Sequence, residues 1–359
     1  MRAGLIHDTY VEIFNITKEK KSRKGGDIPE QLRREIEEQR NQHGSASMYE
    51  KLAKSIAPEI FGHLDVKKSL LLMMTGGVDK DLKQQGMKIR GNINVLLMGD
   101  PGVAKSQLLK HIAHVSPRGI YTTGKGSSGV GLTAAVMRDP LTKELVLEGG
   151  ALVLADLGVC CIDEFDKMDE TDRTNIHEVM EQQTVSIAKA GIVTSLNART
   201  TILAAANPLY GRYNTKISVH ENINLPAALM SRFDHIFLLL DKPDQDMDAD
   251  LAKHVAFVHQ MSSHPALDFE PYNHEFLRGY IQACQNLEPL IPDDLHNYIV
   301  NHYVEKRKQQ TQMEVGSMYI TPRTLLGVIR TAQAIAKLRF ADLVDQDDID
   351  EAMRLIDAC

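Results

Sequence analysis

The chain has 359 residues, of which 43% are apolar and 25% charged, and its formal net charge is −7. That length allows two domains around a sizeable core, and no run approaches the ~20 apolar residues of a membrane span. The acidic balance excludes a uniformly basic nucleic-acid-binding surface, although a few basic residues could still line a channel.

Residues 1–20 lack the basic start and apolar block of a signal peptide, so an intracellular protein is expected. Cys160, Cys161, Cys284 and Cys359 form no C-x-x-C pair, which favours buried thiols over zinc ligands. Residues 9–16 alternate like a strand but have no partner strand nearby, as at the torn edge of another domain. Residues 17–47 are charged and nearly coreless, a composition that suits a linker with at most one loose helix. The basic run 18–24 within it reads as a solvated segment, with a nucleic-acid contact as the alternative.

From Met48 the pattern becomes α/β. Helices are expected at residues 49–56 and 66–74, followed by strands near Val95, Ile120, Val159, Ile202 and Ile236 with helical segments between them. Strands alternating with helices predict a mostly parallel sheet covered on both faces. Two irregular inserts interrupt it. Residues 124–132 are too rich in glycine for a helix interior, and two short strand runs follow about the Asp139-Pro140 turn. Residues 185–196 form two β-prone runs around a three-residue tip that begins with Lys189, which predicts a hairpin. Beyond residue 244 strand signals disappear, and helices are expected at 245–259, 273–284, 293–308, 322–340 and 347–356, a separate bundle.

The chemistry gathers at strand ends. The loop Gly99-Asp100-Pro101-Gly102-Val103-Ala104-Lys105-Ser106 lies between the apolar run 95–98 and a helical pattern, the order that a phosphate-binding loop needs. Backbone N–H groups there can cradle a β-phosphate, with Lys105 on β/γ oxygens and the Ser106 hydroxyl on Mg²⁺. Ala104 stands where a second glycine is usual, and an alanine is comfortable there only with a negative φ. The buried run 159–162 ends in Asp163-Glu164, a pair suited to Mg²⁺ handling and to polarising an attacking water, although such pairs are also common on surfaces. The run 201–206 ends in Asn207, which can meet a γ-phosphate or the lytic water, or simply close the strand with an Asx turn. Arg232 and Arg323 are each ordinary ion-pairing residues on their own, but a guanidinium is also the group best suited to transferred phosphoryl charge.

The phosphate loop, the segment Val159-Cys160-Cys161-Ile162-Asp163-Glu164-Phe165-Asp166-Lys167 and Ser231-Arg232-Phe233-Asp234 together resemble the minichromosome maintenance (MCM) family of AAA+ replicative helicases. The resemblance runs from about Met48 to the C-terminus, and residues 91–94, 178–183 and 225–229 are most similar to its seventh-subunit branch in eukaryotes. It implies an α/β AAA+ P-loop NTPase core at 48–243 with a helix-2 insert and a pre-sensor 1 hairpin. A small helical lid would follow at 244–359. Residues 1–16 would end an N-terminal oligonucleotide-binding domain, most of which, like a C-terminal winged helix, would lie outside this chain.

Carried onto these positions, the resemblance makes Lys105 and Ser106 the Walker A pair, Asp163 and Glu164 the Walker B pair, and Asn207 sensor 1. Arg232 becomes an arginine finger and Arg323 a sensor 2 arginine, both facing a neighbour's nucleotide. Phe61 borders the adenine, and Gly102, Val103, Ala104 and Gln107 join the nucleotide-binding set. Lys189 of the hairpin and Val130 of the insert reach DNA in a central channel.

The implied cofactors are ATP and Mg²⁺. The implied partners are paralogous subunits of a hetero-hexameric ring and single- and double-stranded DNA, in the nucleus and with no membrane. An isolated chain would then bind ATP and turn it over slowly. Two other readings keep the same engine: a structural or regulatory ring subunit without its own turnover, and a protein remodeller.

Overall fold

The computed structural model describes residues 29–43, 45–82, 87–125, 131–138, 145–189, 192–209, 211–214, 222–223, 225–241, 243–261, 269–312 and 320–359. The strand-like run 9–16 and the basic run 18–24 lie outside them, as does Val130.

Five strands form one parallel sheet: β1 (Val95–Gly99), β2 (Gly119–Thr123), β3 (Val159–Asp163), β4 (Thr201–Ala206) and β5 (His235–Leu239). Their spatial order is β5-β1-β4-β3-β2. Leu203 pairs with Val95 on one side of β4, and Thr201 pairs with Val159 on the other. The three central strands are buried along their whole length, so each reads as a continuous apolar run rather than an alternating one. Alternation survives in the direction that side chains take. Val95, Leu97, Cys161, Leu203 and Phe237 enter the core on one face, while Leu96, Met98, Cys160, Ile162 and Ile202 enter the core on the other. Cys160, Cys161 and Cys284 are buried thiols whose pKa values burial pushes up.

The helices of ten residues or more among the described residues are α1 (Glu30–His43), α2 (Ser45–Lys54), α3 (Leu64–Thr75), α4 (Lys105–Val115), α5 (Glu170–Gln182), α6 (Gln245–Met261), α7 (His274–Gln285), α8 (Asp293–Gln312), α9 (Pro322–Leu338) and α10 (Gln346–Asp357). Among the described residues, no helix is long and apolar enough to cross a membrane. Helix α1 occupies the segment expected as a linker, and it is packed rather than loose. Its Ile36 is 3% exposed in the first core, and its Arg40 lies 4.2 Å over the Phe340 ring. Two apolar residues, Leu32 and Ile36, on an otherwise polar helix are enough when the neighbouring helix offers a slot, and at Gly279 of α7 a Cβ would sit 2.3 Å from Leu32.

The all-helical part beyond residue 244 is present, but its apolar faces join the first core instead of building a separate one: Phe276, Leu277, Tyr280, Ile335 and Ile349 pack with Leu70 and Leu97. A buried polar relay crosses the same boundary. His235 on β5 meets Ser69 of α3 at 2.6 Å and Thr331 of α9 at 2.9 Å.

Both inserts carry antiparallel pairs, Ala134–Arg138 with Leu145–Gly149 and Thr184–Lys189 with Ile192–Asn197. A third pair, Lys80–Leu82 with Met87–Ile89, has no counterpart in the sequence reading. Lys189 is not at the tip of its hairpin. Its pairing with Ile192 makes it the last residue of the strand, because the ladder reaches one residue into the expected three-residue turn.

Candidate functional site

The phosphate-loop segment leaves β1 at Gly99 and enters α4 at Lys105. Gly99 has φ +149, and a Cβ there would lie 1.9 Å from the Leu239 carbonyl oxygen, so only glycine lets β1 turn into the loop against β5. Gly102 needs glycine for its backbone alone, with φ +95 and open space around it. Ala104 does not have the negative φ at which alanine is comfortable, but φ 59 and ψ 18 in the left-handed region. The loop imposes the glycine-like conformation even though the residue is alanine, at a cost of roughly 1–2 kcal/mol.

Asp100 anchors the loop from outside. Its carboxylate accepts the Tyr213 N–H at 2.8 Å and the Asp241 N–H at 3.2 Å. Lys105 is buried, and its ammonium donates to the Gly99 and Asp100 carbonyls at 2.8 and 2.6 Å. Burial lowers its pKa, and the charges of Asp100, Asp163 and Asp166 oppose that shift. Ser106 is in the first turn of α4, where the unpaired N–H groups and the helix dipole favour an anion.

The acidic pair ends β3 next to this loop. Asp163 is buried; one oxygen accepts the Tyr121 hydroxyl and the other the Glu164 N–H, both at 2.9 Å. Glu164 adopts a left-handed conformation, with φ 51 and ψ 43, that takes the chain out of the strand. Its carboxylate pairs with Lys167 at 2.9 Å, and both side chains are more than a third exposed. Asn207 follows β4 directly, and its N–H donates to Asp166 at 3.0 Å, tying the end of β4 to the segment after β3.

A cleft of about 960 Å³ opens beside the loop. Phe61, Gly102, Val103, Ala104 and Gln107 line it, with Leu251, His254, Val255 and Val258 of α6 on the far wall. Phe61 meets the His254 ring at 5.6 Å.

Arg232 and Arg323 do not line this cleft. They meet each other instead, at Glu181 of α5: Arg232 lies 2.8 Å and Arg323 3.2 Å from the same carboxylate oxygen. Arg232 also donates to the His177 carbonyl at 2.6 Å, and Arg323 to the Ser231 hydroxyl at 2.9 Å. Beneath them Arg330 and Asp234 form a buried pair at 2.5 Å.

The structure therefore gathers Lys105, Ser106, Asp163, Glu164 and Asn207 along one sheet edge and sets the two arginines apart from the cleft. Sequence reasoning missed Glu181 and Lys67. In the sequence Glu181 is one residue of the segment 178–183, with no feature that sets it apart. Lys67 carried a usable signal, because it sits in register with Leu70, Leu71 and Met74 on the buried stripe of α3, where a charge needs a reason.

The MCM P-loop domain model matches residues 34–259, and the MCM AAA-lid domain model matches residues 275–359. The chain is 58% identical over 359 residues to the DNA replication licensing factor mcm7 of Schizosaccharomyces pombe, covering 99% of this chain and 47% of that protein. It is 57% identical to the DNA replication licensing factor MCM7 of Arabidopsis thaliana over 99% of this chain and 49% of that protein. Identity to the Arabidopsis thaliana MCM4 factor is 46%, over 98% of this chain and 43% of that protein. The chain thus spans about half the length of the curated relatives it matches. The higher identity to the two seventh-subunit proteins agrees with the resemblance of residues 91–94, 178–183 and 225–229.

Proposed function

This chain belongs to the MCM family, and we propose that it is the ATP-hydrolysing motor part of a seventh-type subunit in a hexameric replicative DNA helicase. The observation that carries this reading is the division of catalytic groups: the nucleotide-side residues share one sheet edge, while both arginines converge on Glu181 outside the cleft. A site completed by a neighbour needs that division.

In this reading the triphosphate lies along the N–H groups of residues 102–106. Phe61, Gly102, Val103, Ala104 and Gln107 border the nucleotide, and the third N–H of the Lys105 ammonium is available to a phosphate oxygen. Ser106 and Asp163 would hold Mg²⁺. Their chemistry fits the ion: one hydroxyl and one carboxylate suit a small hard cation that takes its remaining ligands from phosphate and water. Among the described residues no cluster of three or more His, Cys, Asp or Glu offers an all-protein cage. When bound, Mg²⁺ neutralises charge on the phosphates.

Glu164 polarises the attacking water and Asn207 orients it. Glu164 must leave Lys167 to do so, and an ion pair this exposed holds it only weakly. Arg232 and Arg323 stabilise charge on the transferred phosphoryl group of the adjacent subunit. Lys189 and Val130 meet DNA in the ring channel. Residues 48–243 form the ATPase core and 244–359 the lid, with 1–16 closing an N-terminal domain and 17–47 joining it to the motor. The partners are paralogous subunits and DNA in the nucleus.

The test is to mix the chain with candidate partner subunits and follow ATPase activity against stoichiometry. A shared site predicts activity that appears only with the correct neighbour and collapses on Glu164→Gln. Full turnover by the isolated chain would contradict sharing, and unchanged unwinding by a Glu164→Gln ring would leave this subunit a structural role.

A further inference from the structure

Residues 57–63 connect α2 to α3 and form one wall of the cleft. Three of these seven residues have left-handed backbone: Ala57 at φ 46, Gly62 at φ 70 and His63 at φ 53. A loop in that shape needs external restraint, and three side chains supply it: His254 of α6 meets the Glu59 carbonyl at 2.9 Å, and the other two hold Ala57 and Ile60. Lys67 is 5% exposed and donates to the Ala57 carbonyl at 3.0 Å and the Ile60 carbonyl at 2.8 Å. His111, on the helix that begins with Lys105 and Ser106, accepts the Ala57 N–H on Nε2 at 3.0 Å. Ala57 is thus held at both its donor and its acceptor.

The acceptor role fixes the tautomer, with the proton on Nδ1. Burial keeps that ring neutral, with its pKa pulled down to about 4 despite the nearby Glu59. Burial also pulls the Lys67 pKa down to about 8. A lysine placed there at such a desolvation cost earns its position through the two carbonyls it holds.

We propose that Lys67 and His111 are positioning residues that set the purine selectivity of this cleft, by holding the 57–63 backbone in the shape that meets the edge of adenine. The inference rests on reading the cleft as a nucleotide site. Apolar side chains such as Phe61, Leu251 and Val258 pack on the face of any base, so they bind without choosing. Choice comes from polar groups at the base edge, where adenine donates from N6 and accepts at N1 while guanine accepts at O6 and donates from N1. A fixed row of backbone groups satisfies one purine and leaves the other with unpaired donors and acceptors. A loosened row satisfies neither well and discriminates little.

The experiment is equilibrium binding of Mg·ATP and Mg·GTP to the chain and to its Lys67→Met, His111→Leu and His111→Gln variants, with Lys105→Ala as the control. Lys67→Met and His111→Leu should each lower the ATP-to-GTP affinity ratio about tenfold, the scale of one lost buried hydrogen bond. His111→Gln, whose Oε1 can accept the same N–H, should recover most of the ratio lost in His111→Leu. If Lys67→Met does not fold, the two His111 variants decide the matter. An unchanged ratio in folded variants, or equal weakening of both nucleotides, overturns the proposal and leaves the nucleotide site standing. Wild-type affinity for both nucleotides in Lys105→Ala would instead overturn the nucleotide reading, and this inference with it.

Discussion

Arg232 and Arg323, 91 residues apart in sequence, pair with the same carboxylate oxygen, Glu181 Oε2, at 2.8 and 3.2 Å. Two guanidinium groups that converge on one anion repel each other, and Glu181 offsets that repulsion. The Arg232 Nε is buried with no partner, and burial is the largest influence on that guanidinium, lowering its pKa against the pull of Glu181. A cation desolvated in this way gains more from a second anion than a solvated one would. The pair is therefore suited to phosphate delivered from outside the chain.

The corresponding test is Arg232→Ala in an assembled ring. ATP affinity at this chain's own loop should stay within about twofold, because Arg232 lines no part of the cleft. Turnover at the neighbouring site should fall by about 10³, the lower end of what an arginine finger supplies. Binding by equilibrium titration and turnover by phosphate release separate the two effects. Loss of affinity at this chain's own loop with turnover preserved would count against sharing.

Ala104→Gly makes a prediction about stability. The left-handed conformation costs alanine about 1–2 kcal/mol, and glycine removes that cost while adding about 0.5–1 kcal/mol of unfolded-state entropy. The variant should therefore be more stable by about 0.5–1 kcal/mol, read as a rise in the urea midpoint at constant m-value. A destabilised variant would mean that the Ala104 methyl group makes a packing contact of its own.

The sheet was legible in the sequence because its three central strands are buried on both faces and are therefore written as uninterrupted apolar runs that end in Gly99, Asp163 and Asn207. Legibility failed where geometry is set by tertiary contacts. The φ of Ala104 follows from a loop tied to Tyr213 and Asp241 through Asp100, partners more than 100 residues away in sequence. Helix α1 looks coreless because Leu32 and Ile36 are its two apolar residues, a single i, i+4 pair too short to establish a period. Glu181 resembles any exposed helical glutamate until Arg232 and Arg323 arrive from elsewhere in the chain.

His235, like His111, makes the fold sensitive to acid. It is fully buried between Ser69 and Thr331, and burial pulls its pKa down to about 4 from the ordinary 6.5. The unfolded chain binds this proton first, so the contribution is complete above pH 6.5 and is lost as the pH falls toward 4. The loss amounts to roughly 3 kcal/mol over that window. Urea unfolding at pH 7 and at pH 4.5 should show a smaller drop for His235→Gln than for the wild-type chain. An identical drop would place the acid sensitivity elsewhere.

Lys189 ends its strand opposite Ile192, which fixes its backbone near the end of the hairpin. In the proposed ring it contacts DNA phosphate. Such a contact carries no sequence information and releases a counterion, so its loss has a particular signature. Lys189→Ala should weaken binding of single-stranded DNA by a similar factor on unrelated sequences. It should also reduce the slope of log affinity against log salt by about 0.7 per subunit altered. Titrations over a range of salt concentrations, on two oligonucleotides of different sequence, measure both quantities. A sequence-dependent loss with an unchanged salt slope would mean that the hairpin meets bases rather than the backbone, and a ring that binds as before would remove Lys189 from the DNA path.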